Sequence, residues 1–497
     1  MSKASNGKGK TVSVVGLSWG DEGKGKLIDW LMAVLGFQVG VRFNGGNNAG
    51  HSVYLDNRLI HLHFIPSTIV CPNGIALLGA GELLEPFAFL NEKLYLKSVA
   101  GVNPEGRIFL DPRMSLIMFY HRIEDMAREV VRSRTSGGNI GTTAKGIGPA
   151  YADLAQRTEI RLQNLLGDPN DFTRTFKARL EEKLRLFFQC FDITKDELKT
   201  ILEQLRKKDL QSCQEIIAAQ AIDPLFFDYN RYFDEDEGLK IGPITSDYLE
   251  VAERLKQLDL IRDIALEVSE RRFRGQDILF EGGQGSLLDV IFGTRPYVTS
   301  SHPIAGSACT GTPVGPTFIE NVIGVAKLFF TRVGSGPFPT EDDQFGQLIR
   351  GTLGEPGAEF GTTTQRPRRC GPFDAVATRT TALWSGIHQL CGTKLDFLDS
   401  LTEIKVCTQY ELDGVRLEMM PLDPKDLARV IPIYETRPGW RQDTTKSRQW
   451  SDLPLNARHY LDFVLENCQP PVSGYPEITW HTIGVGPNRE QMIPVNV

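Results

Sequence analysis

Residues 12–31 read VSVVGLSWGDEGKGKLIDWL, and this stretch decides the fold class. Val12 to Gly16 form a short apolar run that ends in glycine, which is the pattern of a buried strand. A glycine-rich loop follows as far as Lys26, and a helical pattern then runs from about Leu27 to Gly36. A strand, a glycine loop and a helix in this order are typical of the opening of an α/β nucleotide-binding unit.

The loop carries the groups that bind phosphate. Gly20, Gly23 and Gly25 allow the backbone N–H groups to come close to a ligand, and these groups can converge on phosphate oxygens. Lys24 and Lys26 add positive charge. An incidental turn rich in glycine and lysine is the alternative interpretation.

Asp21 is the distinctive residue of this loop. A carboxylate beside a phosphate repels it unless the carboxylate binds Mg²⁺ or accepts a proton, so Asp21 is a candidate for both roles. A Walker A loop that ended at Lys24 would need glycine at position 18, where the sequence has Ser18. The loop is therefore P-loop-like, and it is not a strict Walker A motif.

The composition is that of an ordinary soluble globular protein. Of the 497 residues, 41% are hydrophobic and 24% are charged, and the net charge is −7, which disfavours a general nucleic-acid coat. The eight cysteines are scattered without a Cys-x-x-Cys pair, which argues against a zinc ribbon and a disulfide framework. The sequence has neither a signal-peptide pattern nor an apolar run long enough to span a membrane, so we expect a cytoplasmic protein.

The order of patterns along the chain predicts one large α/β body with a mainly parallel central sheet. Further strands are predicted at 38–43, 58–63, 75–79, 278–280, 322–331 and 392–397. A helical excursion, about 165–275, interrupts them, and an amphipathic stripe recurs there every four residues at Phe172, Phe176, Leu180, Leu184 and Phe188. We expect residues 1–10 to form a flexible tail and 11–497 to form the single domain.

Several more loops carry polar groups that suit a nucleotide or an acidic ligand. His51 lies in a loop of glycines and asparagines, with no apolar face to bury it, and could polarise a transferring phosphoryl group. The loop 361–369 places arginines beside three threonines, which suits a carboxylate or a phosphate, with a solvated basic turn as the alternative. Asp396 can accept two N–H donors from guanine. The remaining candidate loops are 141–151, 281–285 and 297–301.

Together these loops resemble the adenylosuccinate synthetase family. The resemblance runs from about Val12 to Ile493, and several long motifs occur in family order. They are Trp19 to Lys26, Gly141 to Thr143, Gly146 to Tyr151, Tyr297 to Ser301, Thr331 to Glu341 and Thr393 to Asp396. The family joins IMP and L-aspartate with GTP and Mg²⁺, and it produces adenylosuccinate, GDP and phosphate on the route to AMP. The resemblance therefore implies a GTP-dependent ligase of purine biosynthesis.

The resemblance also implies a role for each matching residue. Asp21 would take the N1 proton of IMP, so that O6 attacks the γ-phosphate of GTP, and would hold Mg²⁺ together with the carbonyl of Gly50. His51, Lys24 and Gln284 complete the implied catalytic set. The implied IMP contacts are Asn48, Thr143, Arg157, Gln284, Thr299 and Arg366, with Arg157 reaching the neighbouring subunit of a homodimer. The implied aspartate contacts are Val333, Thr363, Arg366 and Arg368. The implied GTP contacts are Gly20, Glu22, Gly23, Lys24, Gly25, Lys26, Gly50, His51, Ser52, Lys394, Asp396, Gly484 and Gly486.

The sequence departs from the common family pattern at Asn44, Asn47, Gln365 and Pro367. Two other functions are alternatives. One is a paralogue with the same mechanism on another 6-oxopurine nucleotide, giving a 2-aminoadenylosuccinate-type product. The other is a non-catalytic GTP-binding regulator. Asp21 and Asp396 argue against the paralogue, and Asp21 with His51 argues against the regulator.

Overall fold

The computed structural model describes residues 7–55, 58–135, 143–236, 238–352, 358–360 and 367–497. Of the predicted tail, residues 1–6 lie outside this range. The backbone N–H groups of Gly9 and Lys10 donate hydrogen bonds to Arg272 and Asp277 of the body. Within these described residues, no helix combines the length and apolarity needed to cross a bilayer.

The helices and strands alternate along most of the chain. The strands are β1 (Thr11–Gly16), β2 (Val39–Arg42), β3 (His51–Leu55), β4 (Arg58–Leu62), β5 (Ile75–Leu78), β6 (Ile108–Leu110), β7 (Phe233–Asp234), β8 (Gly238–Leu239), β9 (Ile278–Glu281), β10 (Asn321–Lys327), β11 (Phe330–Arg332), β12 (Arg369–Gly371), β13 (Phe373–Asp374), β14 (Gln389–Thr393), β15 (Glu403–Leu412), β16 (Val415–Leu417), β17 (Ile431–Pro438), β18 (Thr479–Gly484) and β19 (Met492–Pro494). The helices are α1 (Lys24–Leu35), α2 (Pro86–Ser98), α3 (Phe119–Thr135), α4 (Ile147–Gln156), α5 (Leu162–Leu165), α6 (Pro169–Arg185), α7 (Lys195–Ser212), α8 (Gln214–Ala218), α9 (Ile241–Gln257), α10 (Ile264–Phe273), α11 (Ser307–Gly311), α12 (Asp343–Ile349), α13 (Ala375–Ser385), α14 (Pro424–Leu427) and α15 (Leu455–Asn467).

A nine-stranded sheet forms the centre of the fold, in the order β19-β18-β14-β10-β1-β9-β2-β5-β6. Every pairing in it is parallel except that of β18 with the edge strand β19. All six residues of β1 are buried, as the apolar run at the start of the chain predicts for a central strand. The predicted α/β class with a mainly parallel central sheet is confirmed.

Two of the predicted strands are wrong in detail. The predicted strand 58–63 is present as β4, and it pairs with β3 in a separate two-stranded sheet. The run 322–331 divides into β10 and β11, because the chain bends at Leu328 and Phe329. The run 392–397 is mostly not a strand, because β14 ends at Thr393 and the left-handed Lys394 (φ 61°) starts a 3-10 turn.

The helical excursion shares one hydrophobic core with β3 to β6 and with helices α2 and α3. Phe172, Phe176 and Leu180 of the predicted stripe are buried on α6, but Leu184 and Phe188 are only half-buried. A helix turns every 3.6 residues, so a spacing of four drifts around the axis, and a π-helical turn follows at Leu186–Cys190. Lys183 and Phe187 take the buried positions instead.

Candidate active site

The predicted site residues follow the carboxyl ends of neighbouring parallel strands. The phosphate loop follows β1, the loop that begins at Gly282 follows β9, and the loop that leads to His51 follows β2. On the other side of β1, the ends of β10 and β14 carry Lys327 and Lys394. Because ligands of open parallel sheets bind outside the carboxyl ends of the strands, this edge is the candidate active site.

The phosphate loop is held in shape by Glu22. The fully buried Glu22 carboxylate accepts hydrogen bonds from the N–H groups of Ser18 (3.1 Å) and Gly20 (2.9 Å), and Nζ of Lys24 donates to it at 2.8 Å. Helix α1 starts directly after Gly23, so its free N-terminal N–H groups face the same loop. Glu22 is one of the predicted GTP contacts, and its side chain holds the loop in shape.

Residues with a left-handed backbone are concentrated in these loops. Ten non-glycine residues have positive φ in the described part of the chain, and Asp21, Ala144, Arg157, Gln284 and Lys394 are five of them. Each such residue costs of order 1–3 kcal/mol unless the surroundings impose it, and such strain is concentrated at functional sites. Asp21 and Gln284, with φ of 61° and 50°, come from the loops after the adjacent strands β1 and β9.

Arg368 joins the phosphate loop to a buried cluster of charges. Its Nη2 lies 2.8 Å from Oδ2 of Asp21, and its Nη1 lies 2.6 Å from Oε2 of Glu359. Glu359 is fully buried, and its carboxylate also accepts hydrogen bonds from Nζ of Lys327 (2.9 Å) and Nζ of Lys394. Although burial opposes ionisation, these three cations hold the pKa of the Glu359 carboxyl well below its usual range. One carboxylate thus connects the ends of β10 and β14 with the candidate aspartate-binding arginine.

His51 is buried and contacts charged side chains through both ring nitrogens. Nδ1 contacts Oε1 of Glu281, and Nη1 of Arg42 lies 2.9 Å from Nε2. Because arginine can only donate, Nε2 is the acceptor and the Nδ1–H group donates to Glu281. Burial lowers the pKa of His51 to about 4, so its imidazole is neutral near pH 7. Arg42 also lies 3.4 Å from Glu82, a buried carboxyl whose oxygens have no hydrogen-bond partner among the described residues.

Three of the predicted IMP contacts lie together. Nδ2 of Asn48 donates to the hydroxyl of Thr299 at 3.4 Å, and Nε2 of Gln284 donates to Oδ1 of Asn48 at 3.1 Å. Oε1 of Gln284 and Oδ1 of Asn47 are buried without a hydrogen-bond partner among the described residues. Buried amide oxygens are usually hydrogen-bonded, so these two acceptors point to a polar ligand in this part of the site.

The predicted guanine end of the site contains a buried carboxylate oxygen without a partner. Oδ1 of Asp396 receives no hydrogen bond from the described residues, and burial raises the pKa of this carboxyl to about 6. Nζ of Lys26 donates to the carbonyl of Gly486 and to that of Gln491 (3.0 Å). Lys26 therefore connects the phosphate loop to the segment that contains Gly484 and Gly486. Burial lowers the pKa of the Lys26 amine to about 8, although the nearby Asp396 acts in the opposite direction.

Other predicted residues are less constrained by the described structure. Thr143, Val333, Gly50 and Arg157 are exposed, and Arg157 closes the C-terminal end of α4 with φ of 63°. Thr363 and Arg366 lie outside the described residues, as do Gly141 and Thr142 of the predicted 141–151 loop and Gln365. The side chain of Ser52 lies outside them as well.

The sequence analysis missed Glu359 and Arg42 as members of the site, and it includes Glu281 only as the first residue of the candidate loop 281–285. Arg42 has a detectable signal, because it is a cation in an apolar strand and is fully buried. Glu281 directly follows the predicted strand 278–280 and is the last residue of β9, at the edge of the sheet that forms the candidate active site. Glu359 is a lone acidic residue between loops, and no sequence pattern marks it.

The model of the adenylosuccinate synthetase family matches residues 13–225 and 197–493. The adenylosuccinate synthetase of Methylibium petroleiphilum is 38% identical over 493 residues, which cover 99% of this chain and 98% of the relative. That of a Cyanothece species is 41% identical over 485 residues, which cover 97% and 94%.

Two solved structures share the fold. The fully ligated adenylosuccinate synthetase of Plasmodium falciparum superposes with a TM-score of 0.78 at 29% identity, and the match covers 98% of this chain and 100% of that one. The succinoaminodeoxyadenylate synthetase of cyanophage S-2L, bound to dGMP and dATP, superposes with a TM-score of 0.54 at 16% identity over 99% and 97% of the chains. The second likeness shows a common fold alone.

Proposed function

This chain belongs to the adenylosuccinate synthetase family, and from that membership we propose a role for each residue gathered at the strand ends. The enzyme is a GTP-dependent ligase that joins L-aspartate to IMP and gives adenylosuccinate, GDP and phosphate. The reaction commits IMP to AMP. The division of labour among the residues is the proposal.

In the first step, Asp21 accepts the N1 proton of IMP as O6 attacks the γ-phosphorus of GTP. The bond from the γ-phosphorus to the β-phosphate oxygen breaks, so GDP leaves and 6-phosphoryl-IMP forms. The supporting observation is the position of Asp21, a carboxylate with 35% of its side chain exposed within a loop of phosphate-binding geometry. Lys24 and the N-terminus of α1 stabilise the charge on the transferring group.

His51 stabilises the same phosphoryl group from the side of β3. With Nε2 held as an acceptor by Arg42, the neutral ring cannot donate from that nitrogen. We therefore propose that the anionic phosphoryl group displaces Arg42 from Nε2, that Nε2 then takes up a proton from solvent water because the phosphoryl charge favours the imidazolium, and that Nε2–H donates to the phosphoryl oxygen. Glu281, hydrogen-bonded to Nδ1, then stabilises the resulting imidazolium.

IMP occupies the polar corner formed by Asn48, Gln284 and Thr299, and Thr143 and Arg366 belong to the same proposed set. The unpartnered oxygens of Gln284 and Asn47 are acceptors for the N–H and hydroxyl groups of a nucleotide. GTP lies across the phosphate loop, with its base at Asp396. The N1–H and N2 amine of guanine are the donors that the unpartnered Oδ1 of Asp396 lacks. Adenine presents an acceptor at N1, so ATP leaves the Asp396 carboxylate unsatisfied.

In the second step, the neutral amine of L-aspartate attacks C6 of the phosphoryl intermediate, the bond between C6 and O6 breaks, and the leaving phosphate carries O6 and takes the proton that the amine loses. Arg368 holds a carboxylate of the amino acid, and Val333, Thr363 and Arg366 complete the proposed aspartate contacts. The charge cluster around Glu359 supports this assignment, because it fixes the guanidinium of Arg368 beside Asp21.

Mg²⁺ is the proposed cofactor, held by the Asp21 carboxylate and the Gly50 carbonyl. These are oxygen donors of the kind that a hard cation prefers, and about a third of the Asp21 side chain is exposed to solvent. The bound ion would neutralise charge on the transferring phosphoryl group. The left-handed backbone at Asp21 positions its carboxylate both to accept the N1 proton and to bind the metal ion.

We also propose a homodimer in which Arg157 binds the nucleotide phosphate of the neighbouring subunit. Its exposed position at the end of α4 supports this role. Mixing Arg157→Ala with Asp21→Asn tests it, because subunit exchange then creates some sites with both residues intact. Activity that rises on mixing supports shared sites, and strict additivity after verified exchange contradicts them.

The transfer of the O6 oxygen to phosphate is the observation that tests the whole mechanism. IMP labelled with ¹⁸O at position 6 should give ¹⁸O-labelled phosphate in an amount equal to the adenylosuccinate formed. The same assay, repeated with GMP, dGMP and XMP, defines the purine. Label retained in the purine product would contradict the 6-phosphoryl intermediate.

A further inference from the structure

The helical excursion inserts one charged residue into the core beneath α4. Helix α6 buries Phe172, Phe176 and Leu180, and the fourth member of that buried stripe is Lys183. Lysine is almost never buried unless it is paired. The ion-pair partners of Lys183 therefore show which helices the excursion contacts through this residue.

Those partners lie on α3 and α4, the helices before and after Thr143, which is one of the proposed IMP contacts. Nζ of Lys183 lies 2.6 Å from Oδ1 of Asp153 on α4 and 2.9 Å from Oε2 of Glu124 on α3. The N–H of Met118 donates to Nδ1 of His121 at 3.0 Å, so Nε2 carries the hydrogen and donates to Oδ2 of Asp153, also at 3.0 Å. Both oxygens of Asp153 are thus fixed.

Asp153 also holds the turn in which Arg157 lies. Its backbone carbonyl accepts hydrogen bonds from the N–H of Arg157 and from that of Thr158 at 2.9 Å. Arg157 has φ of 63° in a C-terminal position where glycine is usual, so its conformation depends on the contacts that close the turn. The side chain of Asp153 anchors this last turn of α4 to the body, and its carbonyl sets the direction in which Arg157 leaves the helix.

A second excursion helix contacts the same region. Nζ of Lys208 on α7 lies 3.4 Å from the carbonyl oxygen of Thr143, and the neighbouring Asp209 accepts two hydrogen bonds from Arg122 on α3, at 2.7 and 2.9 Å. The excursion therefore contacts Thr143, in the candidate loop 141–151, and Asp153, at the C-terminal end of α4.

We propose that Lys183 is a positioning residue for the binding of the nucleotide monophosphate: through Asp153 it sets the direction of Arg157, so that the excursion controls IMP affinity. This inference rests on the proposed function of Arg157. In contrast to a residue that only stabilises the fold, Lys183 should influence the KM for IMP and leave the KM values for GTP and aspartate unchanged.

Steady-state kinetics of Lys183→Met test the proposal. We expect the KM for IMP to rise about tenfold, the effect of one lost charge-assisted contact, with kcat and the other two KM values within about twofold. Lys183→Arg should recover most of the loss because it keeps the charge. The matched control is Lys177→Met on the same helix, where Lys177 is exposed and lies 4.0 Å from its partner Glu181; it should behave as the parent enzyme.

A double variant separates positioning from general stability. If Lys183 acts through Arg157, then Lys183→Met combined with Arg157→Ala has the same KM for IMP as Arg157→Ala alone. Additive effects, or equal rises in all three KM values, would overturn the proposal. Should Lys183→Met fail to fold, Asp153→Asn carries the same test, and an unchanged KM for IMP there would overturn it as well.

The outcomes also distinguish the positioning role of Lys183 from the proposed role of Arg157 in binding the nucleotide phosphate. An unchanged KM for IMP in Arg157→Ala refutes the role of Arg157 itself. A raised KM in Arg157→Ala together with a normal KM in Lys183→Met refutes only the positioning role.

Discussion

Nη2 of Arg368 lies 2.8 Å from Oδ2 of Asp21, so the proposed general base and the proposed aspartate-binding arginine form a salt bridge. The opposite side of the same guanidinium contacts Glu359 at 2.6 Å. A carboxylate of the amino-acid substrate that binds Arg368 therefore competes with Asp21 for the same N–H donors. Binding of aspartate and release of the base are connected through one side chain.

Arg368→Leu should impair the use of aspartate far more than the binding of GTP. The lost contact is charge-assisted, so we expect the KM for aspartate to rise at least about tenfold, while the KM for GTP stays within about twofold. Arg368→Lys is the matched variant, because it keeps the charge but cannot bridge two carboxylates with a planar fork. Initial rates over a range of aspartate concentrations measure both. An unchanged KM for aspartate and unchanged turnover in Arg368→Leu would return the arginine to a structural or nucleotide-phosphate role.

Asp21→Asn should abolish most of the turnover. Positioned acid–base groups contribute about 10²–10⁴-fold, and the loss should exceed that range because the amide is also a poorer metal ligand than the carboxylate. Binding of GDP, measured by calorimetry without magnesium, should change little, and this measurement shows that the loop is intact. Near-full turnover with an unchanged dependence on Mg²⁺ would exclude Asp21 as the base.

The sequence predicts most of the site because its groups lie in loops with a recognisable chemistry. Glycine and amide residues at strand ends identify the loops of Asp21, Asn48 and Gln284, and parallel topology then brings these loops to one edge. What the sequence does not reveal is the charge cluster around Glu359. Its members come from three separate segments, around residue 327, at 359–368 and around residue 394, and Glu359 has no periodicity to mark it.

The errors in the fold have a similar origin. The run 322–331 is apolar except for Lys327 and Thr331, and no alternation of apolar and polar residues marks the bend at Leu328 and Phe329. β14 ends where Lys394 adopts a left-handed backbone conformation, and a lysine in the sequence does not indicate that conformation as a glycine would. Lys183 lies beside the predicted apolar stripe, and a lysine there is expected at the surface. Only its buried partners on α3 and α4 explain why it is buried.

Glu82→Gln should stabilise the protein at alkaline pH. Burial raises the pKa of Glu82 to about 8, above its ordinary value of 4.5, with Arg42 opposing this shift. Between these two values the folded state binds more protons than the unfolded state, so the stability contributed by Glu82 is present below pH 4.5 and is lost as the pH rises through 8. We expect the glutamine variant to be more stable by roughly 1–3 kcal/mol above pH 8.

Thermal unfolding over a pH series measures this difference. The gain of Glu82→Gln should shrink towards zero near pH 5, where the parent side chain is neutral in the folded protein. Glu250→Gln is the control, because Glu250 forms an exposed ion pair with Arg254 and should change stability by less than about 0.5 kcal/mol at any pH. A stability difference for Glu82→Gln that does not vary with pH would contradict the assignment.

The affinity for GTP should fall as the pH falls through about 6, because burial raises the pKa of Asp396 to about 6 and only the ionised carboxylate accepts both N–H donors of guanine. Below that value the fraction of ionised Asp396 falls about tenfold per pH unit, and the KM for GTP should rise in proportion. Asp396→Asn is the matched control, because its amide does not titrate. Its KM for GTP should be high and should not change between pH 5 and 8. Its preference for GTP over ATP should be small, because one hydrogen-bond acceptor is lost. Fluorescence titration with a GDP analogue from pH 5 to 8 separates binding from the titration of Asp21 during turnover. A flat profile in the parent enzyme, or a strong preference for GTP in Asp396→Asn, would show that another group recognises the base.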